Sequence, residues 1–276
     1  MRRTSLVPVL TGPLVALTLL AGCGSATTDD PSSARAQSRS NSPSSPSGSV
    51  SADQASSPLT KDDFGQRVFG AIQKAGTARI GLLTEAAGQR SSGAGQVDLR
   101  GGRPKSSVTQ QLPDGTEVEA VLVDGLFFLK SPQFGPKWVK VDPQAKSGLG
   151  ALIGSMGATS DPSRIVKAMS SASEVTARGT EEVDGVQTTK YHVVLPRKVF
   201  VSALGTDPRL AALLPEEIAY DMWVDAEDRV RKQVSAVQVA GKSTSTTLTY
   251  RAFGEPVSIA APPAAQTTTS VPGLGG

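Results

Sequence analysis

The chain has 276 residues, with 28 Lys and Arg against 25 Asp and Glu, which gives a formal net charge of +3. Hydrophobic residues make up 38% of the chain and aromatic residues 4%, and there is one Cys and one His. This composition excludes an internal disulfide and any metal site built from several Cys or His ligands. The small net charge argues against a surface that binds nucleic acid, so we expect no nucleic-acid partner. We also expect no metal and no cofactor.

The first 22 residues have the features of a lipoprotein signal peptide. Arg2-Arg3 forms a basic start, and the apolar stretch at 6–20 is too short for a comfortable membrane span. The stretch ends at Leu20-Ala21-Gly22-Cys23, the pattern of a bacterial lipobox. Small residues before the cysteine let the signal peptidase reach the bond, and the thiol of Cys23 accepts a diacylglyceryl group. We therefore predict lipidation at Cys23.

Lipidation determines where the protein is found. Each buried methylene contributes about 0.8 kcal/mol, and two or three acyl chains, such as palmitate, hold a protein durably at a bilayer. We expect a mature chain that begins at Cys23 on the extracytoplasmic face of the bacterial cell membrane. Two alternatives stay open: an ordinary signal peptide with an unrelated cysteine, and twin-arginine export in place of the general secretory route.

Two segments are predicted to be disordered. Residues 24–58 contain 13 Ser and no aromatic residue, so they cannot bury enough apolar surface to offset the entropy of ordering. Together with the lipidated cysteine they form a tether at 23–58, whose 24–58 part spans about 30–35 Å by coil statistics. The tail at 263–276 is rich in Thr, Pro and Gly and is predicted to be disordered as well.

The remaining segment, 59–262, contains all the aromatic residues and is predicted to be one domain. Its first element is a helix in which Phe64, Val68 and Ile72 recur every fourth residue, with Thr60 as the predicted cap. Short alternating segments separated by Gly, Pro and Asp-Gly turns then predict about eleven strands. These strands are predicted at 77–85, 95–100, 105–112, 116–123, 126–130, 138–141, 174–183, 186–195, 217–224, 229–239 and 243–253.

Helical segments interrupt the strands in two places. Residues 143–172 show helical spacing of apolar residues, and Asp161-Pro162 is typical of a helix start. Residues 197–214 form a second apolar helical insertion. We therefore predict an α+β fold with one large, curved antiparallel sheet, a half-barrel with helices packed on its concave face.

Several stretches resemble the LppX/LprG-type lipoproteins of actinobacteria, which share the half-barrel fold of the lipoprotein carriers LolA and LolB. They accompany the lipobox, the Ser-rich tether and the helix that precedes the strands. The resemblance implies an extracytoplasmic lipid-binding role without catalytic residues, and it transfers no ligand contact to a particular residue. The stretches are VDGLFFL at 123–129, KWVKVDP at 137–143, GTEEVDGVQTTKY at 179–191, LP at 214–215 with MWVD at 222–225, and LTYRAFGEPV at 248–257.

The residues suggest no catalytic site. His192 is the only possible imidazole base and lies in a predicted strand, where a structural role is the common one. Asp225-Ala226-Glu227-Asp228 lacks the glycine and spaced ligands of a calcium loop, which favours a solvated hairpin turn over a weak cation site. Lys130, Lys137, Lys140 and Lys146 accompany Trp138 in a basic stretch, either a solvated strand face or a patch for anionic head groups.

We therefore predict a monomeric, non-enzymatic lipoprotein that binds or carries a lipid, a glycolipid or another amphiphile in an apolar crevice between sheet and helices. The alternative is an interaction or sensor module of the cell envelope with a closed core. The predicted crevice residues are apolar residues of the helical segments, each of which could instead be closed core. They are Leu149, Leu152, Ile153, Met156, Ile165, Met169, Val199 and Leu204.

Overall fold

A computed structural model describes residues 57–143, 162–204, 211–212, 214–239 and 242–270. It contains three α-helices within these ranges: α1 (Phe64–Ala75), α2 (Pro162–Met169) and α3 (Arg197–Leu204). The described strands are β1 (Thr77–Ala86), β2 (Gln89–Asp98), β3 (Lys105–Gln111), β4 (Glu117–Val123), β5 (Leu126–Lys130), β6 (Trp138–Val141), β7 (Glu174–Val183), β8 (Val186–Pro196), β9 (Glu217–Val224), β10 (Val230–Val239), β11 (Lys242–Arg251) and β12 (Thr267–Thr268).

All twelve described strands form one sheet, in the order β12-β6-β5-β4-β3-β2-β1-β11-β10-β9-β8-β7. Two antiparallel meanders, β1 to β6 and β7 to β11, are joined edge to edge by the pairing of β1 with β11. The pairing of β12 with β6 is the one parallel contact among these strands. The predicted α+β class with one large sheet is confirmed, with twelve strands where about eleven were predicted.

One side of the sheet, which we call the inner face, carries the main core. Alternate residues of the strands point to this side, and α1 covers it with Phe64, Val68 and Ile72. The ring of Phe64 meets that of Tyr191 edge-on, with 5.6 Å between the ring centroids. Each large apolar side chain buried here stabilises the fold by about 1.5–3 kcal/mol. The inner-face residues of the core include Ala78, Ile80, Leu82, Tyr191, Val193, Leu195, Ile218, Tyr220, Met222, Val224, Leu248 and Tyr250.

In β2, glycine occupies two inner-face positions that lie very close to β3. A Cβ at Gly95 would lie 2.3 Å from the Ser107 carbonyl oxygen, and one at Gly93 would lie 2.9 Å from that of Thr109. Both oxygens belong to the backbone of β3, so β3 leaves no room for a side chain at these two positions of β2. Glycine at such positions lets a wide sheet curl, and the inner face is therefore the concave one.

The start of α1 differs from its predicted form. The helix begins at Phe64, and the preceding residue is Asp63, where the sequence predicted Thr60 as the cap. The carboxylate of Asp63 accepts hydrogen bonds from the backbone N–H of Thr60 at 2.6 Å and from its hydroxyl at 2.8 Å. Thr60 is thus a donor in this turn, because the acid three residues later is the stronger acceptor.

Helices α1, α2 and α3 pack in series over the concave side, and α3 rests on β8 and β9. Their existence at 64–75, 162–169 and 197–204 agrees with the predicted helical segments. Within the described residues no helix has the length and apolar character needed to cross a membrane.

The segment after β11 returns along the opposite side of the sheet, the outer face. Gln96 donates from Nε2 to the Ser258 carbonyl at 2.7 Å, and Ile259 packs against the cluster of Val121, Val123 and Phe128. The chain then adds β12 beside β6. The tail from 263 was predicted to be disordered from its composition, but Thr267–Thr268 is held in the sheet; residues 271–276 lie outside the described ranges.

Candidate functional site

The concave face carries apolar and neutral polar side chains over its central strands. In β2, β1, β11, β10 and β9, none of the described side chains at inner-facing register positions is charged. Arg231 occupies the bulge in β10, and its guanidinium donates to the Asp225 carboxylate at 2.7 Å. This surface therefore offers apolar area, which suits alkyl chains, and neutral hydroxyls, but no counter-charge for a buried ion.

Several apolar side chains at the margin of the main core are only partly buried. They come from β5, β7 and β10, from α2 and α3, and from the segments that follow α3 and β11. Together they form a rim of half-exposed apolar surface beside the main core. The residues are Phe127, Met169, Val175, Phe200, Leu214, Val237 and Phe253.

The three tyrosines all point to the concave face, but their hydroxyls differ. The Tyr191 hydroxyl accepts a hydrogen bond from the backbone N–H of Leu59 at 3.0 Å. Tyr220 and Tyr250 are only 8% and 6% exposed, and neither hydroxyl has a hydrogen-bond partner among the described residues. Burial raises the pKa of both phenols, so each remains a neutral donor.

The hydroxyls of Tyr220 and Tyr250 are not fully enclosed by the protein. No fully enclosed side-chain nitrogen or oxygen of the described residues lacks a hydrogen-bond partner. The hydroxyls of Tyr220 and Tyr250 lack one, so they are not fully enclosed and reach a space that a small probe such as water can enter.

Only some of the predicted crevice residues lie within the described ranges. Leu149, Leu152, Ile153 and Met156 lie outside the described residues. Ile165 and Leu204 fall within α2 and α3, but only their backbone positions are described. Met169 is partly buried and packs against the main core. Val199 is half-buried on α3, where its neighbour Phe200 is the residue that packs against the core.

Sequence reasoning missed the strand residues of this face. It placed the crevice on the helices, although Tyr220, Met222 and Val224 alternate along the predicted strand at 217–224 and therefore share one face. Alternation shows which residues share a face, but not that two of the hydroxyls would lack partners. That depends on the neighbouring strands and is fixed only by their register.

On the outer face, polar groups cluster around Trp223. Its indole N–H donates to Glu181 at 2.7 Å, and the Nζ atoms of Lys190 and Lys232 lie 4.8 and 4.4 Å from its ring centroid. Lys190 also contacts the Asp221 carboxylate at 3.0 Å. The cluster forms a satisfied cross-strand network, in which the two lysine stems shield the indole.

His192 belongs to this network through Asp221. Its Nδ1 lies 2.8 Å from an Asp221 oxygen across the β8–β9 pairing. Burial raises the pKa of Asp221, but hydrogen bonds from His192 and Lys190 outweigh it and leave the pKa below its usual value. The residue facing His192 on β7 is Thr176, whose hydroxyl donates to Glu174 at 2.8 Å.

Arginine side chains pair with the carboxylate of Asp225 in the acidic turn at 225–228. The Asp225 side chain has no solvent exposure and accepts from Arg229 at 2.9 Å and Arg231 at 2.7 Å. It also accepts from the backbone N–H groups of Glu227 and Arg229. Its lone pairs are therefore used, which fits the predicted hairpin turn rather than a cation site. No group of three or more His, Cys, Asp or Glu side chains in the described ranges is arranged to hold a metal ion.

The basic stretch near Trp138 also has internal partners. Lys130 donates to Glu119 at 2.7 Å, and its Nζ lies 5.6 Å from the Trp138 ring centroid. Ile259 packs on the same outer-face cluster. Lys130 is thus paired, Lys137 and Lys140 are exposed, and Lys146 lies outside the described residues, so both interpretations of the basic stretch stay open.

Comparison with known proteins identifies the fold. No protein family and no curated protein sequence matches the chain. The lipoprotein LppX of Mycobacterium tuberculosis matches with a TM-score of 0.51 at 16% identity, over 72% of this chain and 98% of LppX. The chain thus has the fold of the LppX-type lipoproteins, as the resemblance in its sequence predicted.

Two other solved structures are similar at lower scores. LprF from Mycobacterium bovis has a TM-score of 0.44 at 14% identity, with 73% of this chain and 96% of LprF covered. A chain of the Pseudomonas aeruginosa MucA/MucB complex has a TM-score of 0.41 at 16% identity, with 75% and 59% covered. The assignment of the fold rests on LppX.

Proposed function

We propose that this protein is a lipid-anchored lipoprotein on the extracytoplasmic face of the bacterial cell membrane, and that it holds a lipid or another amphiphile between the concave face and the helices. The observation that carries the binding part is the concave face itself. The described inner-facing side chains of its central strands are uncharged, its apolar margin is half-exposed, and two of its buried tyrosine hydroxyls have no partner among the described residues.

Two observations support the anchor: the sequence around Cys23 and the similarity of the fold to that of a lipoprotein. Cys23 is the only cysteine of the chain and stands at the required place of the lipobox Leu20-Ala21-Gly22-Cys23. LppX, whose fold the chain shares, is a lipoprotein. A tether of 35 residues then lets the folded part stand clear of the bilayer.

A binding role without catalysis fits the polar groups better than an enzymatic one. His192, Asp221 and Lys190 bind one another on the outer face, remote from the concave one. The acidic turn is neutralised by arginines. The concave face offers phenols, hydroxyls and apolar surface, which can hold a ligand by burial and neutral hydrogen bonds.

Native mass spectrometry with lipid extraction tests the binding proposal. The chain from residue 24 to 276 is produced in a membrane-containing host, together with Ser235→Trp on the concave face and Ala236→Trp on the outer face of the same strand. We expect a co-purifying lipid near one per chain, reduced by Ser235→Trp and retained by Ala236→Trp. A chain that stays empty after incubation with envelope lipids would favour the closed interaction or sensor module.

The anchor is tested separately by replacing the lipobox thiol. The full chain should partition into the detergent phase of a phase separation and incorporate labelled palmitate. Cys23→Ala should lose both properties because no thioether can form. If the variant incorporates label as well as the natural chain does, the anchor lies elsewhere.

A further inference from the structure

Five hydroxyl-bearing residues stand in one register row across the concave face. Tyr220 on β9 faces Ser235 on β10, and Ser235 faces Thr246 on β11. Thr246 faces Thr84 on β1, and Thr84 faces Ser91 on β2. Neighbouring strands lie about 4.8 Å apart, so this hydroxyl band crosses about 19 Å of the sheet.

The hydroxyl band is bordered by mainly apolar residues on the same face. The next row towards α1 contains Met222, Leu248 and Leu82, with Gln233 between the first two. The row on the other side contains Val237, Thr244, Ala86 and Gln89. The band therefore has a mainly apolar row on the α1 side and a mixed apolar and polar row on the other side.

Most of the hydroxyl band has no internal hydrogen-bond partner. Ser91 accepts from Gln110 at 3.3 Å. The hydroxyls of Tyr220, Ser235, Thr246 and Thr84 have no partner among the described residues, and the last three side chains are half-exposed. Val has the shape of Thr and a strong preference for strands, so packing alone does not explain these hydroxyls.

Charge decides which partner the band suits. A carboxylate or phosphate placed here would lose its hydration without gaining a counter-charge, because the described inner-facing side chains in the band and in the two rows beside it are uncharged. Neutral oxygen acceptors carry no such penalty. Ester carbonyls are acceptors of this kind, and they occur beside the acyl chains of multi-chain lipids.

We propose that the hydroxyl band binds the ester carbonyls of a multi-acyl lipid while the acyl chains lie on the apolar residues beside it. The inference rests on the proposed binding function and names its ligand class. Tyr220, Thr246 and Thr84 donate to the carbonyl oxygens. Gln233 lies in the adjoining row and Tyr250 in the row beyond it, and both are further neutral donors. A charged head group, where the lipid has one, stays outside the crevice.

A matched pair of ligands isolates the carbonyls. 1,2-Dioctanoylglycerol carries two esters, and 1,2-dioctylglycerol has the same chain lengths joined through ethers, so the two differ in the carbonyl groups. Dissociation constants for both are measured on residues 24–276, which include every described residue. We expect the diester to bind about 3- to 10-fold more tightly, the ratio that one neutral hydrogen bond provides.

Isosteric variants then locate the preference. Thr246→Val combined with Tyr220→Phe should bring the two dissociation constants to within about twofold, with the diether bound as well as before. Thr247→Val is the control, since this neighbouring threonine faces Leu83 and Val234 on the outer face. It should keep the full preference. Thr246→Val alone replaces the double variant if thermal unfolding shows that the latter does not fold.

The outcomes separate this inference from the function on which it rests. Equal binding of diester and diether by the natural chain overturns the hydroxyl band as an ester site and leaves the binding function standing. The same conclusion follows if the variant with Thr246→Val and Tyr220→Phe still binds the diester more tightly than the diether by the full ratio. A chain that binds neither glycerolipid, and that also purifies without lipid, overturns both.

Discussion

Arg67 and Asp228 form a bidentate ion pair that ties α1 to the β9–β10 turn. The guanidinium Nε and Nη2 donate to the two carboxylate oxygens at 3.0 and 2.9 Å, and the residues are 161 positions apart in the sequence. Arg67 also donates from Nη1 to the carbonyl of Ser57, just before the domain. The helix that covers the concave face is thereby held at its first turns.

Breaking this pair should loosen the cover of the concave face. The two side chains are 24% and 19% exposed, so the pair is screened less than a surface pair. Arg67→Met and Asp228→Asn should show a coupling free energy of about 1–2 kcal/mol in a double-mutant cycle followed by urea unfolding. Asn suits this position because Asp228 has a positive φ of 62°, which Asn tolerates. Additive effects of the two variants would contradict the predicted coupling.

Asp225 should matter far more to stability than its neighbour Glu227. Both carboxylates contact Arg229, but the Asp225 side chain is 0% exposed and that of Glu227 is 63% exposed. Asp225→Ala leaves Arg229 and Arg231 half-buried without their shared partner, which should cost about 3 kcal/mol or more. Glu227→Ala should cost less than about 1 kcal/mol. Similar midpoints of chemical unfolding for the two variants would refute the central place given to Asp225.

Two glycine substitutions test whether the close approach of β2 to β3 requires glycine. Gly95→Ala puts a Cβ 2.3 Å from the Ser107 carbonyl oxygen, so the two strands must move apart or shift. We expect a loss of several kcal/mol, or failure to fold, as for other overpacked sites. Gly70→Ala is the control, because its Cβ meets nothing within 4 Å on an exposed helix position. It should stabilise the protein by about 1 kcal/mol in thermal or chemical unfolding.

The network on the outer face predicts a pH dependence. The pKa of Asp221 is lowered in the folded state, so its ionised form contributes stability above the ordinary aspartate pKa, and this is lost as pH falls through the folded value. Asp221→Asn should cost about 0.5–1 kcal/mol near pH 7, since solvent screens the pair. The difference between variant and natural chain should shrink below about pH 4. A difference that stays constant from pH 7 to pH 3 would exclude the proposed linkage.

Local signals in the sequence predicted most of the strands. Asp124-Gly125 and Asp184-Gly185 have positive φ at both residues, the geometry of a tight hairpin turn, and they divide the strands where they were expected. Long-range pairing has no such signal. Nothing in the residues of β1 and β11 shows that Arg79 pairs with Arg251, because that contact depends on the closing of two separate meanders.

The site was harder to predict than the fold. Composition predicted the tail from 263 to be disordered, but Thr267 and Thr268 pair with β6 at the end of the sheet, a contact for which the sequence gives no local signal. The helical insertions were identified as the crevice because their residues are apolar. The hydroxyl band went unnoticed because it is formed by single residues of five strands that are distant in the sequence.

The central claim is that an amphiphile lies on the concave face, and photo-crosslinking tests it most directly. Residues 24–276 are loaded with a diacylglycerol that carries a diazirine in one chain, irradiated, and mapped by peptide mass spectrometry. Adjacent strand residues point to opposite faces, so Met222 and Leu248 report the concave face and Trp223 and Thr249 the outer one. The account predicts labels at Met222, Leu248 and their inner-facing neighbours. Labels confined to Trp223, Thr249 and the outer face would contradict it.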